Sequence, residues 1–190
     1  MKQLYFLSLL VTSSLITFNI NGQGIKLSSI FSDHMVIQQG INASVWGISK
    51  PGSIVSVDFA GFVTSTKTNQ QGDWMVKMPV LNASGPYEMK TYSIDTIVLK
   101  DLMIGEVWLA SGQSNMEWTM GAGVGPNTNS EITEAKYPGI RFYIVPKKTS
   151  SIPLKNMEKH DWSICSPETI RNLSAVSYFF ARELCKHKNV

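Results

Sequence analysis

Apolar and polar positions alternate in short runs through the first half of the chain and change character after Gly105. Ile54-Val55-Ser56-Val57-Asp58-Phe59 alternates with period two, as a strand with one buried face does. Trp74-Met75-Val76-Lys77-Met78 and Tyr87-Glu88-Met89-Lys90-Thr91-Tyr92 repeat the pattern. Val63 to Thr68 is rich in β-branched residues, which suit a pleated surface. Met35-Val36-Ile37, Ala43 to Gly47 and Ser93 to Leu99 read as further strands. Turn signals separate them at Lys50-Pro51-Gly52-Ser53, Asn69-Gln70-Gln71-Gly72-Asp73 and Ser84-Gly85-Pro86. Short strands broken at regular intervals, with no helix cap or helical period among them, predict a β-sandwich over residues 24–101.

Residues 102–190 read as the N-terminal part of an α/β domain. Val107-Trp108-Leu109-Ala110 is an apolar run of strand length, predicted to be a buried parallel strand, and it stops in Ser111-Gly112-Gln113-Ser114-Asn115. Ser130 to Lys136 is a short helix candidate, with carboxylates early and lysine late as the helix dipole favours. Pro138-Gly139 is expected to stop it, and Ile140 to Val145 to form a second strand. Lys147 to Ser166 reads as a polar, irregular connection. Ser174 is the predicted N-cap of a helix from Ala175 to about His187. Its apolar face is Val176, Phe179, Phe180 and Leu184, with Tyr178 flanking. Strand, helix, strand, helix predicts the opening of a parallel α/β sheet. Two strands and one good helix cannot bury both faces of such a layer. The expectation is a truncated piece of a longer protein, or a fold completed by another chain.

Composition narrows the classes. The 190 residues are 43% hydrophobic and 10% aromatic, ample for a folded core. The net charge of +3 is scattered, with no basic block or stripe, so nucleic acid is not an expected partner. Lys2 followed by Leu4 to Val11, with weaker apolar character to Ile20, predicts a secretory signal over residues 1–23 and a secreted or periplasmic protein. Its Ser, Thr and Asn residues make it too polar for a stable membrane span. Export would permit a disulfide between the only cysteines, Cys165 and Cys185. Cys185 lies on an amphipathic helix pattern, where cysteine often serves as a small apolar filler, and two free thiols are the favoured reading. The cysteine spacing fits no zinc pattern, and no metal or organic cofactor is implied.

The candidate chemistry lies at the break after Ala110. A hydroxyl at the end of a buried parallel strand is where open α/β sheets place ligands, which singles out Ser114. Ser, Gly and Asn are also ordinary turn residues, so a plain strand-ending turn accounts for the same string. Gln113 and Asn115 either orient the turn or touch a substrate. Gly121-Ala122-Gly123-Val124-Gly125 lacks the following Lys-Ser/Thr of a phosphate loop and reads as a flexible loop beside the site. Trp46, Trp74 and Trp108 read as core anchors.

Several blocks, in order, resemble the sialate O-acetylesterase family of SGNH-type serine esterases. They are Phe31 to Gln38, Val45-Trp46-Gly47 with Pro51-Gly52, Gly72-Asp73-Trp74, Gly85-Pro86-Tyr87, Gly105 to Trp118, Cys165 to Thr169, and Ser174 to Leu184. The resemblance implies a β-sandwich followed by the start of a flavodoxin-like α/β/α esterase domain. It implies removal of O-acetyl groups from sialic acids or other acetylated glycans, with Ser114 as nucleophile and its backbone N–H as one oxyanion donor. The family's base is a histidine in a late Asp-x-x-His motif. His34, His160 and His187 are the only histidines here, and none has Asp three residues before it. An isolated fragment without that histidine is expected to be inactive or nearly so. The competing reading is a non-catalytic carbohydrate-binding or structural module. The substrate carboxylate of a sialic acid would suit an arginine, and Arg141, Arg171 and Arg182 are the three available. Neither the oligomeric state nor the identity of the sugar is legible.

Overall fold

The computed structural model describes residues 24–188, and the expected signal segment lies outside them. Eight strands run up to and include Gly105: β1 (Lys26–Leu27), β2 (Val36–Gln38), β3 (Ser44–Ile48), β4 (Ile54–Phe59), β5 (Phe62–Lys67), β6 (Asp73–Lys77), β7 (Ser84–Tyr92) and β8 (Thr96–Gly105). They form a three-stranded antiparallel sheet in the order β1-β3-β6 and a five-stranded mixed sheet in the order β2-β8-β7-β4-β5. The parallel pair in the larger sheet is β2 with β8, in which Gln38 lies opposite Gly105.

Period-two burial is what builds this half. In β4, Val55, Val57 and Phe59 are buried while Ile54 faces out, and in β6 Trp74 and Val76 are buried while Met75 faces out. Side chains of both sheets then meet in one cluster: Val45, Trp74 and Val76 from the smaller sheet, with Val55, Val57, Phe59, Met89 and Leu102 from the larger. Each such side chain contributes about 1.5–3 kcal/mol when taken out of water. Tyr87 meets Phe59 edge-on, with ring centroids 5.7 Å apart. Gly72 turns the chain into β6 at φ +83°, and a Cβ there would lie 2.5 Å from the Ser49 carbonyl oxygen, so only glycine fits.

Beyond Gly105 the elements are α1 (Ser114–Glu117), α2 (Thr128–Thr133), β9 (Tyr137–Phe142), β10 (Ser163–Cys165) and α3 (Ala175–Lys188), with short 3-10 turns at Met120–Ala122 and Ile170–Asn172. A second cluster of Met120, Ile132, Ala135, Ile140, Cys165, Ile170 and Tyr178 holds them together. Two polar links tie the halves. The Asn156 side-chain oxygen accepts hydrogen bonds from the hydroxyls of Ser28 and Ser29. Nearby, the Trp162 indole N–H donates to the Ile30 carbonyl at 2.8 Å. The second link is Arg141 of β9, described below.

Several sequence expectations are corrected here. Val107 to Ala110 is not a buried strand: the sheet ends at Gly105, and Leu109 is 87% exposed. No strand among the described residues lies beside the run, so its backbone has no ladder to join. Trp108, expected in the core, is exposed for the same reason. The Ile140 strand begins earlier, at Tyr137, and takes in Pro138-Gly139 rather than being preceded by them as a stop. It pairs antiparallel with β10, which lies within the stretch expected to be irregular, so the described part of this half has no parallel sheet. Proline is tolerated because, among the described residues, β9 has a partner strand on one side alone. Ser84-Gly85-Pro86, expected as a turn, lies inside β7 at a register irregularity. Helix α3 forms where expected, but Tyr178 and Ala175 are its fully buried residues while Val176 and Phe180 are exposed. Cys165 and Cys185 are both free. No helix among the described residues is long and apolar enough to cross a membrane.

Candidate active site

The segment carrying Ser114 is anchored at both ends. On the sheet side, the Gln39 N–H donates to the Gly105 carbonyl at 2.9 Å, and the Val107 N–H donates to the Gln38 side chain at 2.7 Å. The chain then leaves the sheet, and Trp108 packs edge-on against Phe180 of α3 with centroids 5.3 Å apart. On the far side, the Thr119 backbone bridges antiparallel to Ser174, and the Ala175 N–H donates to the Trp118 carbonyl at 2.9 Å. Buried Met120 completes that anchor.

Between the anchors lies α1, a single turn. Gln113 is its N-cap and Ser114 its first residue. The N–H groups of Met116 and Glu117 both donate to the Gln113 carbonyl, at 2.8 and 3.1 Å, and the Trp118 N–H donates to the Ser114 carbonyl at 3.1 Å. The amides of Ser114 and Asn115 have no acceptor among the described residues, as expected for the first N–H groups of a helical turn. One side chain docks the turn: the Met116 sulfur accepts contacts from the Ser174 and Ser177 hydroxyls at 3.5 and 3.7 Å. Gly112 gives this methionine room, since a Cβ there would sit 3.0 Å from Met116 Cγ. Ser114, Gln113 and Asn115 are all exposed, so the turn presents its hydroxyl and both flanking amide side chains to solvent.

None of the three histidines bonds to Ser114. The His34 ring Nδ1 lies 2.6 Å from Oδ2 of Asp101, which sits within β8 four residues before Gly105. His160 packs edge-on against Tyr143, and the His187 ring lies 2.8 Å from the Glu183 carbonyl on its own helix. Ser114 lies outside two clefts found among the described residues. One is an apolar groove on α3 beside Phe179, Phe180 and Leu184, and the other is a polar cleft that includes His160, Asp161 and Glu168. Among the described residues no group of His, Cys, Asp or Glu is arranged to hold a metal ion.

The structure sorts the arginines, which sequence could not. Arg141 has a side chain only 5% exposed and grips Asp101 with both terminal nitrogens, at 2.7 and 3.3 Å. That grip holds the Asp101 carboxyl below its usual range, with the His34 contact adding to it against the opposing cost of burial. Arg182 pairs with Glu131 and lies over the Phe179 ring. Arg171 is exposed and makes no ion pair among the described residues. Its backbone carbonyl abuts Gly121, at 2.8 Å from where a Cβ would be, which sets Arg171 against the loop that follows α1. Burial pushes the Cys165 thiol up to about 11, so it is not a nucleophile at neutral pH. The His34–Asp101–Arg141 cluster escaped sequence reasoning because its members lie 40 and 67 residues apart.

No protein-family model matches the chain. Among curated proteins it is 29% identical to the sialate O-acetylesterase of Mus musculus over 178 residues, and 29% identical to that of Homo sapiens over 183. Both alignments take in 86% of this chain, against 32% and 35% of those proteins. Among solved structures, a carbohydrate acetylesterase from Xanthomonas citri superposes with a TM-score of 0.84 at 30% identity, over 87% of this chain and 38% of that one. The chain thus spans about a third of the length of the proteins it matches. Over most of its own length, this chain is homologous to sialate O-acetylesterases and to a carbohydrate acetylesterase.

Proposed function

We propose that Ser114 is the nucleophile of an exported carbohydrate O-acetylesterase. The observation that carries this reading is the turn itself. An exposed serine opens a helical turn, its own amide has no internal acceptor, and the turn is anchored on a sheet at one end and on α3 at the other. Attack of the Ser114 oxygen on an acetyl carbonyl forms a tetrahedral oxyanion, and the Ser114 N–H is one donor aimed at such a charge. Collapse releases the sugar hydroxyl and leaves acetyl-serine, which water then cleaves to acetate. A serine hydroxyl needs a base to take its proton, and His34, His160 and His187 are engaged elsewhere. The base therefore comes from outside the described residues. In this reading residues 24–101 are a β-sandwich domain. Residues 102–190 begin a flavodoxin-like α/β/α domain. Gln113 and Asn115 face the substrate, an acetylated sialic acid or other glycan. Arg171, the arginine without a carboxylate partner among the described residues, is the one available to a substrate carboxylate.

A non-catalytic glycan-binding module is the second reading, and the absence of a histidine bonded to Ser114 among the described residues favours it. One experiment separates the two. In the full-length protein, Ser114→Ala should lower acetate release from O-acetylated sialic acid or acetyl-xylan by about three orders of magnitude or more, with an unchanged circular dichroism spectrum. Undiminished acetate release from a folded Ser114→Ala protein contradicts the assignment.

A further inference from the structure

We propose that Trp118 is a stacking platform for the sugar ring that bears the ester, a reading that rests on Ser114 as the nucleophile. The indole is fixed. Its Nε1–H donates to the Gly123 carbonyl at 2.7 Å, its backbone N–H to Ser114, and its carbonyl accepts from Ala175. The residue is nevertheless 55% exposed. Because the polar edge of the ring is satisfied internally, what it offers to solvent is an apolar face. An indole held in this way can receive the apolar face of a ligand without giving up a hydrogen bond.

Its place relative to Ser114 is set by the helix. Trp118 is the C-cap of α1, and its N–H closes the turn on the Ser114 carbonyl at 3.1 Å; residues four apart across such a turn have Cβ atoms about 5–6 Å apart. That spacing lets a ring lie on the indole while an ester substituent reaches the Ser114 hydroxyl. The surroundings leave the approach open. Gly123 and Gly125 follow at φ +89° and +147°, and a Cβ added to either would meet nothing within 4 Å. One face of a pyranose is a set of C–H groups carrying slight positive charge, which suits the negative face of an indole. Stacking of this kind selects for a ring without selecting its identity, as aromatic platforms for nucleobases do. The ligand class assigned is therefore a pyranosyl acetate, in preference to an acyclic one. Trp108 is also exposed, but its ring is already engaged edge-on by Phe180.

The test compares the wild-type full-length protein with Trp118→Ala and Trp118→Phe on two esters, an O-acetylated pyranoside and glyceryl triacetate. For Trp118→Ala, the loss in kcat/KM on the pyranoside should exceed the loss on glyceryl triacetate by at least tenfold and appear mainly in KM. Trp118→Phe, which keeps a ring, should recover most of it. Equal losses on the two esters assign Trp118 to packing and overturn the proposal, as does an unchanged KM for the pyranoside. A second readout needs no turnover. By calorimetry, the deacetylated pyranoside should bind Ser114→Ala protein at least tenfold more tightly than the Ser114→Ala, Trp118→Ala double variant. Equal affinities, or no binding to either, overturn the platform. Undiminished acetate release by Ser114→Ala overturns the nucleophile and leaves this binding comparison standing.

Discussion

At the scale of single residues, the most consequential side chain outside the Ser114 turn is Asp101. It and His34 both have left-handed backbones, at φ +57° and +67°, a conformation that is costly for residues with a Cβ. The cluster that holds them there is the bidentate Arg141 grip and the His34 ring. Since Arg141 sits on β9, the same cluster fastens the second half of the chain to the first. Asp101→Asn removes the charge facing a buried guanidinium and should lower stability at pH 7 by about 1–3 kcal/mol in urea melts. The pH dependence has a definite sign. The folded-state pKa of Asp101 lies below its ordinary 3.8, so its contribution is complete above that value and is lost as pH falls through the folded pKa. The gap between wild type and Asp101→Asn should therefore narrow in acid, and a gap that holds constant down to pH 2 contradicts the ion-pair account. Ser114 could be proposed from sequence because its neighbours form one unbroken string. Asp101, Arg141 and His34 could not be, because nothing local marks a contact across 40 or 67 residues.

At the scale of elements, the contrast is between strands read correctly and a strand that is absent. Strand β4 could be read from alternation alone, since burial there has the same period as the pleat. The run Val107 to Ala110 has strand composition but no neighbour, and composition cannot supply the hydrogen-bonding partner a strand requires. Helix α3 was legible in its limits and cap but not in its orientation. Its apolar residues run more than halfway round, and contact with β9 and the second cluster selects Tyr178, leaving Phe180 for Trp108. The Ser174 cap has a double role, since its hydroxyl receives the Ser177 N–H at 3.4 Å and also contacts Met116. Ser174→Ala should cost about 1 kcal/mol of stability from the lost cap. Because α1 docks through the same hydroxyl, it should also reduce ester turnover measurably under conditions where the variant remains fully folded. A normal melting curve together with normal turnover contradicts both parts of that role.

At the scale of the whole molecule, two hydrophobic clusters lie on either side of Gly105, joined by Arg141 and by the polar strap from Asn156 to Trp162. The Ser114 turn leaves from one and is held by the other. This arrangement accounts for a superposition on the Xanthomonas citri acetylesterase that extends over 87% of this chain rather than stopping at either half. It also explains why the two halves were unequally legible. The first half is closed by local alternation and tight turns. The second carries its apolar surface outward at Trp108, Leu109, Val176 and Phe180, so its sequence pattern describes packing that the described residues do not complete. The central claim, that the turn at Ser114 is built to put a nucleophile in the open, is tested most directly by covalent trapping. The full-length protein is treated with a fluorophosphonate and its peptides are sequenced by mass spectrometry. The account predicts a single adduct on Ser114 that is absent from folded Ser114→Ala protein. Modification of another serine, Ser111 included, with acetate release blocked in step, would contradict it.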